Sequence, residues 1–261
     1  MRKNSAIIIL ALALLTAILF VVDIAVGTVN IPLSELLGSL LGEENGATDI
    51  VVKIRLPRTI VALLAGVALS VSGLQMQVLF RNPLAGPYVL GVSAGASLGV
   101  ALFLLGAPLL GITATTFTSL GTAGAAWIGA AMVLVIVVAL ARKVKDIMVI
   151  LILGIMLSSA VGSIVEIMQY FSNEASLKSY VVWTMGSLGD VTMSQLAIVA
   201  PIVAIGVILS VAAIKPMNML LFGERYATSM GLNTHRTRIL ILTSTTLLAY
   251  PKTRRACSDM E

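Results

Sequence analysis

Charge is the scarcest thing in this sequence. Lys, Arg, Asp and Glu make up 11% of its 261 residues, against 58% hydrophobic; a soluble domain carries roughly 25% charged residues. With a mean hydropathy of +1.04, the chain cannot cover a water-facing surface, so its main solvent is lipid. Only helices and closed barrels span lipid. The short alternating strands of a barrel are also lacking; the apolar runs here are long and unbroken, which selects helices. Cysteine is nearly absent: Cys257 stands alone, which excludes an intrachain disulfide. His235 is the only histidine, in a basic connector, and reads as solvated. No G-x-x-x-x-G-K-[ST], H-E-x-x-H or G-x-S-x-G occurs, so ATP binding by a P-loop, zinc proteolysis and serine hydrolysis by those routes are excluded. Asp23 and Glu166 lie in different apolar segments with no sign of pairing, so an intramembrane hydrolase has no candidate residues. No enzyme activity, metal or cofactor is expected.

What is present is mostly apolar runs. Seven can be read: Ala6 to Val26, Thr59 to Leu79, Tyr88 to Leu105, Ala123 to Ala141, Ile147 to Tyr170, Gln195 to Ile214, and a last one from Ile239 that stops short. Most approach the roughly 20 residues that cross a bilayer. The first follows Arg2 and Lys3 and mimics a secretory signal. Its uncharged stretch, Ala6 to Val22, is longer than the usual apolar region of one, and Asp23 follows without a clear Ala-x-Ala site, so an uncleaved helix is expected. The expectation is an all-α, polytopic transmembrane bundle with about six full spans and a partial seventh. The net charge of +5 would suggest nucleic acid in a soluble protein. Here it belongs to the connectors of a membrane protein, and no nucleic-acid partner is expected.

With the N-terminus inside, the inner connectors hold Arg81, then Arg142, Lys143 and Lys145, then Lys215, Arg225, Arg236 and Arg238. The outer ones hold Lys178 and one exceptional cluster, Lys53, Arg55 and Arg58, which asks for a reason other than topology. Two short interfacial helices are expected outside the spans. One covers Ile31 to Leu37, whose leucines recur at helical spacing. The other covers Trp183 to Asp190, with Trp183 suited to the headgroup region.

Gly91, Gly95 and Gly99 recur every fourth residue and suit close helix packing; a ligand contact is the alternative. The turn Arg81 to Tyr88 contains two prolines and a glycine and cannot be regular helix. Beyond it in the chain, Pro216 and Gly223 divide the stretch after the sixth run. A short helix begins at Glu224, where a negative charge suits the dipole, and Gly231 is placed to end it. Tyr226, Ala227 and Met230 would share one face, serving either a membrane surface or a docking partner. Glu166, near the outer end of the fifth run, is a functional candidate by its cost in lipid or a side chain that reaches water.

Taken together these residues resemble the FecCD family of ABC permeases, which includes ferric-siderophore, haem and cobalamin importers. The resemblance runs through Arg55-Leu56-Pro57-Arg58, Ser72-Gly73, Phe80-Arg81-Asn82-Pro83-Leu84-Ala85, Gly91-Val92-Ser93 and Gly95-Ala96. It resumes at Leu153-Gly154, Trp183-Thr184-Met185-Gly186-Ser187, and Gly223-Glu224 with Ala227 and Met230-Gly231. It implies a permease of about ten helices, paired with a second permease subunit as a homodimer or pseudodimer in the inner membrane. It also implies ABC ATPase subunits and a periplasmic or lipid-anchored substrate-binding protein. On it, Arg55 and Arg58 dock the binding protein, while Gly223, Glu224, Tyr226, Ala227, Met230 and Gly231 couple to the ATPase. Ile147 and Met148 match the cytoplasmic gate by position, with bulkier and more apolar side chains than the family suggests, and Glu166 is assigned to the pathway.

Family members continue past Leu248 through a Gly/Pro-rich stretch and further helices, whereas this chain turns to the polar run Tyr250 to Glu261. The expected division is therefore a permease domain over 1–249, incomplete at its C-terminus, and a non-family tail over 250–261. A frameshift or premature stop is the simplest cause. The rivals to an ATP-driven importer are an ion-coupled secondary transporter, which offers no use for the Glu224 helix, and a nonfunctional truncated permease.

Overall fold

The computed structural model describes residues 2–27, 29, 31–41, 43, 46–106, 119–143, 147–186 and 191–249. Every element among them is helical: α1 (Arg2–Ala25), α2 (Leu33–Leu40), α3 (Leu56–Phe80), α4 (Val92–Leu104), α5 (Ser119–Lys143), α6 (Ile147–Tyr170), α7 (Glu174–Thr184), α8 (Met193–Leu221), α9 (Glu224–Ser229) and α10 (Thr234–Leu248). A π-helical turn, Ile50–Arg55, leads into α3, and a 3-10 turn, Pro87–Leu90, precedes α4. Four stretches are long and apolar enough to cross a membrane: Ala6–Ala25, Ile50–Phe80, Met148–Tyr170 and Met193–Leu221. The chain is a multi-pass, all-α membrane protein. It divides into two compact units, Met1–Leu63 with Leu188–Ile198, and Leu64–Ser187 with Val199–Glu261.

In the first unit, α2 turns Leu36 onto Ile24, Ala47 and Val51, the buried cluster of that unit. It is the amphipathic helix expected near Ile31 to Leu37, shifted slightly along the chain. The π-helical turn has a local cause in Pro57. This residue has no N–H to give the carbonyl four residues back, and its ring crowds that carbonyl. Widening the turn relieves both, and Leu56 N–H bonds the Val51 carbonyl five residues back.

In the second unit, α4 and α5 meet backbone to backbone. A Cβ added to Gly95 would stand 2.6 Å from the Gly129 carbonyl oxygen, and one added to Gly99 would be closer still to the Ala125 carbonyl oxygen. The third apolar run is shorter as a helix than expected. Its 13 helical residues rise only about 20 Å, because the chain enters through the 3-10 turn and reverses at Gly91, whose φ is +75°. Gly91 is thus the residue before the helix, while Gly95 and Gly99 carry the helix contact. The expected interfacial helix from Trp183 is corrected as well. Trp183 is in the last turn of α7 and is buried beside Tyr180, Val100, Ala101 and Val165, so its ring is core. Ser187 to Asp190 lie outside the described residues, as do Tyr250 to Glu261.

Pro216 does not divide the stretch after the sixth run: α8 continues through Pro201 and Pro216 to Leu221, as helices in membranes tolerate when neighbours satisfy the freed groups. The last run also begins earlier than expected. Asn233 caps α10, its side chain accepting from the Arg236 N–H at 3.1 Å, and the helix buries Ile241, Leu242, Ser244, Thr245 and Leu248. Its buried polar side is matched by partners. Gln75 Nε2 donates to Ser210 Oγ at 3.0 Å and to Ser244 Oγ at 3.1 Å, and Gln75 Oε1 accepts from Thr245 Oγ1 at 2.9 Å. Both serines donate to the Gly206 carbonyl. The network ties α3, α8 and α10 together.

Candidate functional site

The outer arginine cluster lies in the first unit. Helix α1 ends in carbonyls with no partner further along the helix. Arg55 supplies one: its Nη1 donates to the Ile24 and Ala25 carbonyls at 2.8 and 2.9 Å, and its Nη2 to the Val29 carbonyl. Its residue is 8% exposed. The guanidinium occupies space that a side chain at position 27 would fill, since a Cβ on Gly27 would stand 2.6 Å from Nη2. Thr59 adds a second tie, donating to Asp23 Oδ2 at 2.7 Å. Arg58, between these anchors, is exposed and makes no hydrogen bond or ion pair with other described residues. Lys53 is exposed in an ion pair with Asp49 at 2.8 Å. The sequence grouped Arg55 and Arg58 as equals; the structure sets them in different surroundings.

The Gly223 to Gly231 element lies in the second unit. Gly223 has φ +112° and Gly231 φ +86°, both in the region that favours glycine. After α9, the Leu232 N–H bonds the Ala227 carbonyl and the Gly231 N–H bonds the Thr228 carbonyl, each at 3.0 Å. That pair is a Schellman ending with Gly231 as its left-handed residue. Two arginines hold the other end. Arg81, itself at φ +49°, donates from Nη2 to the Leu220 carbonyl at 2.9 Å. Arg238 grips Glu224 with both prongs, Nη2 to Oε2 at 2.7 Å and Nε to Oε1 at 3.0 Å. Sequence reading placed both arginines in connectors and missed these roles; a lone arginine in a polar connector carries no signal of its partner. Ala227 is fully buried in the unit's core. Phe222, Tyr226 and Met230 face outward at 74%, 55% and 49% exposure, with the two rings 5.8 Å apart. α9 therefore presents an apolar knuckle on a rigid mount.

Beside this knuckle a cavity of about 570 Å³ is lined by Arg81, Met148, Phe222, Arg225 and Tyr226 among others. Met148 begins the exposed face of α6. Glu166 lies 18 residues on, five helical turns and about 27 Å along the same face, and is exposed. Ile152, Ile155, Ser159 and Ser163 are exposed along it too, so Met148 and Glu166 mark two ends of one stripe. For Ile147 the structure gives the backbone as the first residue of α6. No three His, Cys, Asp or Glu side chains converge as metal ligands among the described residues. In α7, burial raises the Tyr180 phenol above its ordinary range, partly offset by a hydrogen bond with Ser97.

Known proteins share this fold. A solved chain described as a metal-chelate type ABC transporter in an inward-facing conformation superposes with a TM-score of 0.78 at 24% identity, covering 96% of this chain and 77% of that one. The hemin transport system permease protein HmuU of Yersinia pestis is 32% identical over 200 residues, 75% of this chain and 58% of its own length. The vitamin B12 import system permease protein BtuC of Escherichia coli O6:H1 is 36% identical over 180 residues, 69% of this chain and 53% of its own length. This chain thus spans little more than half the length of those two relatives. Residues 15–250 match the FecCD transport family, and the chain belongs to that family.

Proposed function

We propose that this chain is the membrane-spanning subunit of an ABC importer in the cytoplasmic (inner) membrane, moving an iron-siderophore, haem or cobalamin-type ligand. It performs no chemistry of its own. A partner ATPase supplies the work, a periplasmic or lipid-anchored binding protein delivers the ligand to the Arg55 and Arg58 turn, and a second permease subunit completes the pathway. The α6 stripe lines that pathway, with Ile147 and Met148 at the inner gate and Glu166 towards the outside. The names of the relatives, hemin, vitamin B12 and metal-chelate transporters, support the ligand class.

The observation that carries the reading is the mounted knuckle of α9. An apolar face on so short a helix gains little alone and suits a groove on a partner, while Arg81, Arg238 and the Schellman ending keep it from yielding under load. An ion-coupled transporter has no use for such a part. The test is Met230→Asp, which places an unpaired charge in the proposed groove. Copurification of the ATPase and ligand-stimulated ATP hydrolysis should be lost while thermal unfolding of the membrane part is unchanged. Normal coupling in this variant would refute the assignment.

A further inference from the structure

The two arginines of the outer cluster differ in everything but charge. Arg55 is buried, and its fork is used on three backbone carbonyls at the end of α1. A cation there also meets the negative end of the helix dipole, so little of its charge is left for a partner. Gly27 is the matching half: its backbone carries no side chain where the guanidinium lies, and a Cβ there would fall 2.8 Å from Cζ. Thr59 bonds Asp23 as well as the Arg55 carbonyl. Arg58 is thus held between two residues fastened to the end of α1, at the start of α3, with the buried Pro57 before it. It is the arginine of the pair whose charge faces outward.

We propose that Arg55 is a positioning residue that locks the turn to α1, and that Arg58 is the docking contact it presents to an acidic partner surface. This rests on the docking role proposed above and divides it between two residues with different tasks. Arg55 needs the planar fork, since one guanidinium reaches three carbonyls and a lysine ammonium is a point charge on a flexible stem. Arg58 needs charge and exposure, so lysine serves there.

The experiment uses the full chain in lipid nanodiscs with Cys257→Ser and a nitroxide at Ile54→Cys, an exposed position on the same turn. Two readouts are taken: the mobility of the label, and its collision rate with anionic chromium oxalate relative to a neutral nickel chelate. Arg55→Ala and Arg55→Lys should both mobilise the label. Arg58→Glu should leave mobility unchanged and lower the anion-to-neutral collision ratio by about twofold at physiological salt; Arg58→Lys should restore the ratio. Gly27→Ala keeps Arg55 but crowds it, and should mobilise the label as Arg55→Ala does, so the test survives if Arg55→Ala fails to fold. Wild-type mobility in Arg55→Ala and Gly27→Ala overturns the proposal. So does a collision ratio that falls as far in Arg55→Lys, where charge is kept, as in Arg58→Glu. Capture of the substrate-binding protein is measured separately. If Arg58→Glu leaves its on-rate and salt dependence intact, the docking contact assigned to Arg58 fails, whereas the label still reports whether Arg55 locks the turn.

Discussion

Replacing Gln75 by Leu should destabilise the second unit by about 2 kcal/mol. Gln75 makes three side-chain hydrogen bonds, two given and one accepted. Interhelical hydrogen bonds in membranes are worth about 0.6 kcal/mol on average and at most about 1.7, which gives about 2 kcal/mol for three and about 5 as a ceiling. Several features keep the cost near the lower figure. The Ser210 and Ser244 hydroxyls still have the Gly206 carbonyl as acceptor. Thr245 loses its acceptor but can turn to a carbonyl of its own helix, as threonines do. Leucine nearly refills the volume, so no cavity term is added, whereas Gln75→Ala should cost more. The assay is unfolding in mixed micelles with rising SDS fraction, followed by tryptophan fluorescence. Thr245→Val closes a double-mutant cycle with Gln75→Leu, and a coupling of about 0.6 kcal/mol is expected between the two. A neutral or stabilising Gln75→Leu, or strict additivity with Thr245→Val, would refute the view that this network locks α3, α8 and α10 together.

Gly129→Val should disrupt the α4–α5 crossing, since even a Cβ there overlaps the Gly95 carbonyl. The expected loss is at least about 3 kcal/mol, read as a lowered thermal midpoint; an unchanged midpoint would contradict the packing. Glu224→Gln removes the carboxylate charge that Arg238 grips, so hydrogen exchange at α9 should speed by about tenfold to a hundredfold, and wild-type protection there would argue against the clamp. Burial raises the Tyr180 pKa, so the folded state holds this proton more tightly than the unfolded chain. Stability should therefore be intact below about pH 10 and fall as pH rises beyond it. Tyr180→Phe should flatten that part of the pH profile, and an unaltered slope would show that another group carries it.

Helices that owe their place to lipid were legible in the sequence. Ile147 to Tyr170 was read from its apolar run alone, because its length and composition answer to the bilayer rather than to any neighbour. α10 was legible only in part: the apolar run from Ile239 marks it, but its start at Thr234 was missed and its buried Ser244 and Thr245 carry no apolar signal. Those residues read as surface until Gln75 and the Gly206 carbonyl, far away in the chain, are seen to satisfy them. The α9 element was legible in outline, since Gly223 and Gly231 are local backbone requirements and Glu224 is a local dipole preference. Its two arginine supports were not, because an ion pair across 14 residues leaves no periodic trace. The bonds of Arg55 were hidden for a related reason. The carbonyls of Ile24 and Ala25 that it bonds lie about 30 residues back in the chain, and a helix end leaves no mark in the sequence of the arginine that caps it.

The α4–α5 crossing has a consequence for motion. Where Gly95, Gly99 and Gly129 meet facing backbone, the contact has no rotamers, and the side chain packed on Gly95 beside it is the stiff, β-branched Val133. Such a contact cannot absorb a small displacement by swinging a side chain, as a contact of leucines or methionines can. The pair has one seated arrangement and separates rather than slides. Any rearrangement of the second unit must carry α4 and α5 together as a single plank. The give has to come from seams filled by adaptable side chains, such as Met76, Leu220 and Met217. In this chain the smallest residues decide what stays fixed, and the methionines decide where it bends.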